Sequence, residues 1–197
     1  MTLGCAFEQF VDFKRLQGLA DTSIHCYCSF VSPFLEMVGL ECELSSITEN
    51  DIHLYISSLF EREISKSTRA TYVRHLKCFL NWIKKYLDID LYTNRIIVPK
   101  SNKKILRIYD DNDIALIFQT ITAENDWLTA RNCAMVALML DSGLRQGEVC
   151  DLLTVNIYFN KSLLKVCGKG DKERIVPLGK IATSYMMQYK NLGPSDS

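Results

Sequence analysis

From Phe7 to Ile83 the apolar residues recur at helical spacing, in four successive segments with short connections. Few folds other than a helical bundle satisfy that pattern over the first ninety residues. The first segment carries Phe7, Phe10, Val11 and Phe13 and ends near Gly18. The second follows Asp21-Thr22-Ser23, which offer N-cap chemistry, carries Ile24, Tyr27, Phe30, Val31 and Phe34, and closes at Gly39. Pro33 inside it predicts a kink or a break. Thr48-Glu49-Asn50-Asp51 opens a third helix with Ile52, Tyr55, Ile56 and Leu59 on one face. Ser65-Lys66-Ser67-Thr68 opens a fourth, longer one with Tyr72, Leu76, Phe79, Leu80 and Ile83 as its stripe. The bundle is assigned to residues 1–92.

The helical period breaks over 88–110, where Pro99 and a lysine cluster ending at Lys104 mark a connecting segment, assigned to 93–110. The remainder, 111–197, starts with helices over 111–122 and 128–140, the latter strongly apolar, and a short one from about 145 to 152. Alternation follows in the run Leu163-Leu164-Lys165-Val166, a turn at Gly168-Lys169-Gly170-Asp171, and Arg174-Ile175-Val176-Pro177. That is a β-hairpin or small sheet. A last helix spans 181–189. The chain is therefore mainly α: a four-helix bundle followed by an α+β domain.

Composition narrows the function classes. Lys plus Arg and Asp plus Glu both total 23 in 197 residues, so no global charge draws the chain to a polyanion. No apolar run is long enough to span a bilayer, and the N-terminus lacks a basic-then-apolar leader pattern. Eight cysteines without a C-x-x-C, and only three histidines, do not give zinc-site spacing. The expectation is a cytoplasmic protein that needs neither metal nor membrane.

Local charge is less even. Between positions 66 and 87 the basic residues are Lys66, Arg69, Arg74, Lys77, Lys84 and Lys85, and there is no Asp or Glu. Thr68, Thr71, His75 and Asn81 interleave with them. Such a helix is either a solvated outer face or a surface that meets phosphates and base edges. Lys165, Lys169, Lys172 and Arg174 crowd the glycine-flanked turn, which lacks the P-loop pattern and is either a plain polar tip or a second phosphate contact. Arg145, behind the apolar helix, offers a rigid guanidinium fork or a structural pair with Glu148.

Taken in order, Arg131-Asn-x-Ala134, Gly143-Leu-Arg145-Gln-x-Glu148-Val-x-x-Leu152 and Gly168-Lys-Gly-Asp-Lys-Glu-Arg174-x-Val-Pro177-Leu178 closely resemble the tyrosine recombinase (phage integrase) family. The first half resembles that family's N-terminal core-binding, SAM-like domain, with Thr22-Ser23-Ile-x-x-Tyr27 and Ser67-Thr-Arg-x-Thr-Tyr72 opening its DNA-facing helices. The resemblance implies a protein that clamps duplex DNA between two domains, forms a 3′-phosphotyrosyl link, and uses no metal or nucleotide cofactor. Carried over, Arg145 is the first catalytic arginine, Glu148 its supporting acid, and Lys169 the hairpin lysine that protonates the leaving oxygen. Lys172 and Arg174 contact DNA or brace the turn. Thr22, Ser23, Lys66, Thr68, Arg69, Thr71, Tyr72, Arg74, His75 and Lys77 are the DNA-contact candidates of the bundle.

The family's H-x-x-R box and nucleophilic tyrosine lie beyond the helix at 181–189, and no arginine follows Arg174. Tyr185 and Tyr189 fall on an ordinary helix of the family pattern. The expectation is a partial catalytic domain that does not cleave DNA alone, with an under-covered helix 128–140 that favours self-association. The partners expected are double-stranded DNA, and either copies of the same chain or a full-length recombinase. Two alternatives stand beside this reading: a non-enzymatic protein that occupies recombination sites, and a helical protein-interaction module whose basic helix is only solvated.

Overall fold

A computed structural model of the chain describes residues 1–100, 107–168, 170 and 172–193. It divides into two compact units, Met1–Ile105 and Leu106–Ser197.

The first unit holds α1 (Leu3–Leu16), α2 (Asp21–Val38), α3 (Glu49–Glu61) and α4 (Lys66–Leu87). Helix α1 starts earlier than its apolar period suggests, because the Thr2 hydroxyl accepts from the Cys5 N–H and Thr2 bridges to Glu43. That anchor buries Leu3 completely. Helix α2 is capped at Ala20 rather than by Asp21, Thr22 or Ser23, and no side chain accepts from its first turn. Pro33 does not break it. A proline inside a helix costs about 3 kcal/mol, and burial of Phe34 and Leu35 just beyond it offsets that cost. The other two starts follow their sequence signals. Thr48 and Asp51 form a reciprocal capping box on α3, and the Ser65 hydroxyl accepts from the Thr68 N–H on α4.

Phe10, Phe34, Tyr55 and Phe79 are fully enclosed at the centre of this bundle. The Phe10 ring meets Tyr27, Phe79 and Trp82 at centroid distances of 5.3, 5.3 and 5.7 Å. Aromatic pairs of this kind add about 0.5–1.5 kcal/mol each beyond the area they bury. Part of the stretch assigned to the connector belongs to the same core: Thr93 and Ile96 are buried, and the Lys77 ammonium donates to the Ile96 carbonyl at 2.8 Å.

The second unit contains α5 (Asp111–Thr120), α6 (Asp126–Asp141), α7 (Gln146–Cys150), the strands β1 (Ile157–Tyr158), β2 (Leu163–Gly168) and β3 (Lys172–Pro177), and α8 (Lys180–Leu192). The strands form one antiparallel sheet in the order β1-β2-β3, with Lys165 opposite Ile175 and Gly168 opposite Lys172. Leu164 and Val166 point from β2 into a core completed by Ala134, Ala137, Leu138, Leu144, Val149, Leu178, Ala182 and Met186. Alanines on both helices let α6 and α8 approach closely. Leu138 is buried, Met135, Val136 and Met139 are half-buried, and Leu140 remains 46% exposed on α6. Helix α5 has no fully buried residue and is held chiefly by Phe118, which stacks flat on Tyr185 at 4.6 Å.

The start of α8 is capped from a distance. The Asp141 carboxylate accepts from the Ala182 N–H at 3.0 Å, across 41 residues of sequence. Gly179 makes room for it, since a Cβ there would lie 2.0 Å from an Asp141 oxygen. Among the described residues no helix is long and apolar enough to cross a membrane.

Candidate nucleic-acid interface

Sequence dictates the surface of α4 in two ways. Its apolar stripe turns Ala70, Val73, Leu76, Phe79, Leu80 and Ile83 into the bundle, and the absence of acidic residues leaves the opposite side cationic. Ser67, Arg74, Asn81 and Lys85 are all exposed, and their spacing of seven, seven and four residues aligns them on one face. Lys66 is exposed at the start of the helix. Among the described residues, neither Lys66 nor Arg74 has an acidic partner.

Other candidates on this helix are engaged within the protein. The Arg69 Nε donates to the Leu59 carbonyl at 2.8 Å, and its guanidinium lies 4.4 Å from the centre of the Phe60 ring. It thus satisfies an otherwise orphaned carbonyl in the last turn of α3. His75 Nδ1 sits 2.8 Å from the Thr71 carbonyl, which makes that nitrogen the donor, and its ring packs between Tyr27 and Phe30. Tyr72 packs edge-on against Phe30, and the Thr71 hydroxyl donates to the Ser67 carbonyl. Lys77 is the tie to Ile96 already described, and Lys84 pairs with Asp90 at 2.8 Å. Thr68 is half-buried beside the Ser65 cap. On α2, Thr22 is exposed and Ser23 half-buried in the first turn. Burial also lifts the phenols beneath this surface: Tyr27 and Tyr55 are pushed up to about 12, Tyr27 with help from the Cys78 thiol.

In the second unit the chain leaves α6, turns through Gly143, and plants Leu144 in the core. This fixes Arg145 as the N-cap of α7 and Glu148 as its third residue. The Glu148 side chain is only 5% exposed, and four donors surround it. The Arg145 N–H reaches Oε2 at 2.8 Å, and Arg145 Nη1 reaches Oε1 at 3.0 Å. From β3, Arg174 Nη1 and Nη2 reach Oε1 and Oε2 at 2.5 and 2.9 Å. The Arg174 hydrogen bonds, followed by the Arg145 N–H, hold the Glu148 carboxyl down to about 2, well below its ordinary value. Reciprocally, Glu148 raises the Arg174 guanidinium above its usual range.

Both structural options for Arg145 are realised at once. It pairs with Glu148, yet its side chain stays 75% exposed, so the fork is braced at one corner and open to solvent. Gly168 completes the arrangement, because a Cβ there would stand 3.2 Å from Arg174 Nη1 and 3.3 Å from Glu148 Oε1. The end of β2 therefore lies directly against the ion pair. Lys172 is exposed at the start of β3, and Lys165 is neutralised across the sheet by Glu173 at 2.7 Å. Lys169 lies outside the described residues. Sequence reasoning missed the Arg174 fork and the Asp141 cap, whose partners are 26 and 41 residues apart and leave no local signal.

Two family profiles match the chain: the phage integrase N-terminal SAM-like domain over residues 7–89, and the phage integrase family over residues 107–193. The chain belongs to the tyrosine recombinase (phage integrase) family. Among curated relatives of this integrase-family chain, tyrosine recombinase XerD of Halalkalibacterium halodurans is 26% identical over 194 residues, covering 95% of the chain. Tyrosine recombinase XerC of Pediococcus pentosaceus is 23% identical over 194 residues, covering 96% of it. The chain spans 64% of the length of each. The fold is that of lambda integrase, whose dimer bound to a COC′ core site superposes with a TM-score of 0.78 at 17% identity, covering 98% of this chain and 70% of that one. The Tn1549 transposon integrase in complex with circular intermediate DNA gives a TM-score of 0.68 at 15% identity, covering all of this chain and 67% of that one.

Proposed function

We propose that this integrase-family chain binds duplex DNA as part of a site-specific recombination or integration reaction carried out in the cytoplasm on behalf of a mobile element. The observation that carries this reading is Arg145, an exposed guanidinium whose backbone and one corner are pinned by a buried carboxylate. Preorganised donors of this type stabilise negative charge without reorganising. The carboxylate-free face of α4, with Lys66, Arg74 and Lys85 exposed, supplies the long-range attraction that a neutral chain otherwise lacks.

In this reading Arg145 contacts the phosphate at which strand exchange occurs, Glu148 sets its direction, and Lys169, carried over from the family resemblance, donates a proton to the departing 5′-oxygen. Lys172 meets the DNA backbone. Thr22, Ser23, Ser67, Arg74 and Asn81 face the duplex, while Arg69, His75 and Lys77 shape that surface from within. No metal or nucleotide enters the chemistry as the resemblance frames it. Strand cleavage belongs to the whole recombinase pattern. Copies of the chain, or a full-length recombinase, are the protein partners; lambda integrase solved as a tetramer on a Holliday junction supports an assembly of this kind.

The test is a titration of a labelled duplex at several salt concentrations. Phosphate contacts make log affinity fall linearly with log salt. A flat response would instead favour the helical protein-interaction module.

A further inference from the structure

We propose that Arg174 is a positioning residue that keeps the Arg145 fork available to a DNA phosphate by occupying the carboxylate both arginines share. The inference rests on the DNA-binding reading of Arg145 and goes one step further, to what governs that side chain.

A carboxylate has about four acceptor positions. At Glu148 all four are filled: each oxygen takes one donor from Arg145 and one from Arg174. The two arginines are not equivalent. Arg174 gives both ends of its fork to the carboxylate and is 36% exposed, whereas Arg145 gives one side-chain nitrogen and is 75% exposed. Glu148 is buried, so its oxygens must be satisfied from nearby groups. Remove Arg174, and the side chain that already donates to the carboxylate, Arg145, has the rest of its fork to offer in its place. Arg145 then closes onto Glu148 at two points and turns away from solvent. The hairpin strand β3 thus decides whether the turn before α7 presents its arginine or withdraws it. Gly168 guards the same contact, since any side chain there intrudes on the Arg174–Glu148 pair.

The experiment compares wild type, Arg145→Gln, Arg174→Gln and the double variant in salt-dependent duplex binding, with thermal melting to confirm folding. Each single substitution is expected to reduce the salt slope by about one phosphate contact, and the double variant to lose no more than either single. A double variant that loses about two contacts overturns the proposal, because Arg174 then touches phosphate itself. A folded Arg174→Gln protein with an unchanged slope also overturns it. Arg174→Lys keeps the charge and a single donor nitrogen but not the fork, and is expected to restore about half of the lost affinity; it also serves if the glutamine variant does not fold. If the wild type shows no salt-dependent binding, the DNA reading fails by itself. The coupling is then read in the free protein from the Arg145 side-chain N–H resonance by NMR. A shift and slowed solvent exchange in Arg174→Gln supports the coupling, and an unchanged resonance contradicts it.

Discussion

Arg174 grips Glu148 through two parallel hydrogen bonds although 26 residues separate them, and the carboxylate so held is also the one that caps α7 and braces Arg145. A strand, a helix start and an exposed guanidinium are thereby joined at one buried group.

This geometry sets an acid limit. The Glu148 carboxyl is held down to about 2 against an ordinary value of 4.5, so its ionised form stabilises the folded state. That contribution is fully present above about pH 4.5 and is lost as pH falls toward about 2. The melting temperature of the second unit is expected to drop across that window, and the drop to be shallower in Glu148→Gln. Trp127 fluorescence in a Trp82→Phe background follows this unit. Parallel pH profiles for the two proteins would contradict the assignment.

Asp141 and Gly179 make a second, separable prediction. Asp141→Ala removes the cap on α8 and is expected to cost roughly 1 kcal/mol. Gly179→Ala drives a methyl into the space the carboxylate fills and is expected to cost about 1–3 kcal/mol. In the Asp141→Ala background the Gly179→Ala change becomes nearly neutral, a strong non-additivity that chemical denaturation reads directly.

Two arginines five positions apart on α4 should behave oppositely. Arg69→Ala loses a hydrogen bond to Leu59 and the contact with Phe60, so it is expected to destabilise the first unit by about 1–2 kcal/mol. Arg74→Ala is expected to change stability by less than about 0.5 kcal/mol while weakening duplex binding. Denaturant midpoints paired with binding titrations separate the two roles.

Gly168→Ala connects packing to the site. The added methyl must displace Arg174 or Glu148 by a few tenths of an ångström, because their atoms stand 3.2 and 3.3 Å away. Expected are a lower melting temperature of the second unit and weaker duplex binding, with the first unit unaffected. Gly170→Ala, in the turn itself, has open space around it and should act only through its left-handed backbone angle of +79°.

These cases show which features the sequence exposes and which it conceals. Helices α3 and α4 are legible because their caps, Thr48 with Asp51 and Ser65 with Thr68, sit beside the apolar period they start. The start of α1 is hidden because its anchor is the return contact from Glu43. Pro33 signals a kink or a break, and the helix runs unbroken through it with Phe34 and Leu35 buried just beyond. The basic content of α4 is plain in the sequence, but its division into exposed Arg74 and internally bonded Arg69, His75 and Lys77 depends on which face packs and on what α3 leaves unsatisfied. Arg145 and Glu148 are readable as neighbours three residues apart, whereas the bidentate partner on β3 needs the hairpin register before it can be placed.

In the proposed reading a braced Arg145 and the exposed cationic face of α4 both meet DNA phosphates. Salt-dependent duplex binding of wild type, Arg74→Ala and Arg145→Ala is the decisive measurement. Expected are a linear loss of log affinity with log salt for the wild type, and a slope smaller by about one for each variant. Equal slopes for all three folded proteins would refute those contacts.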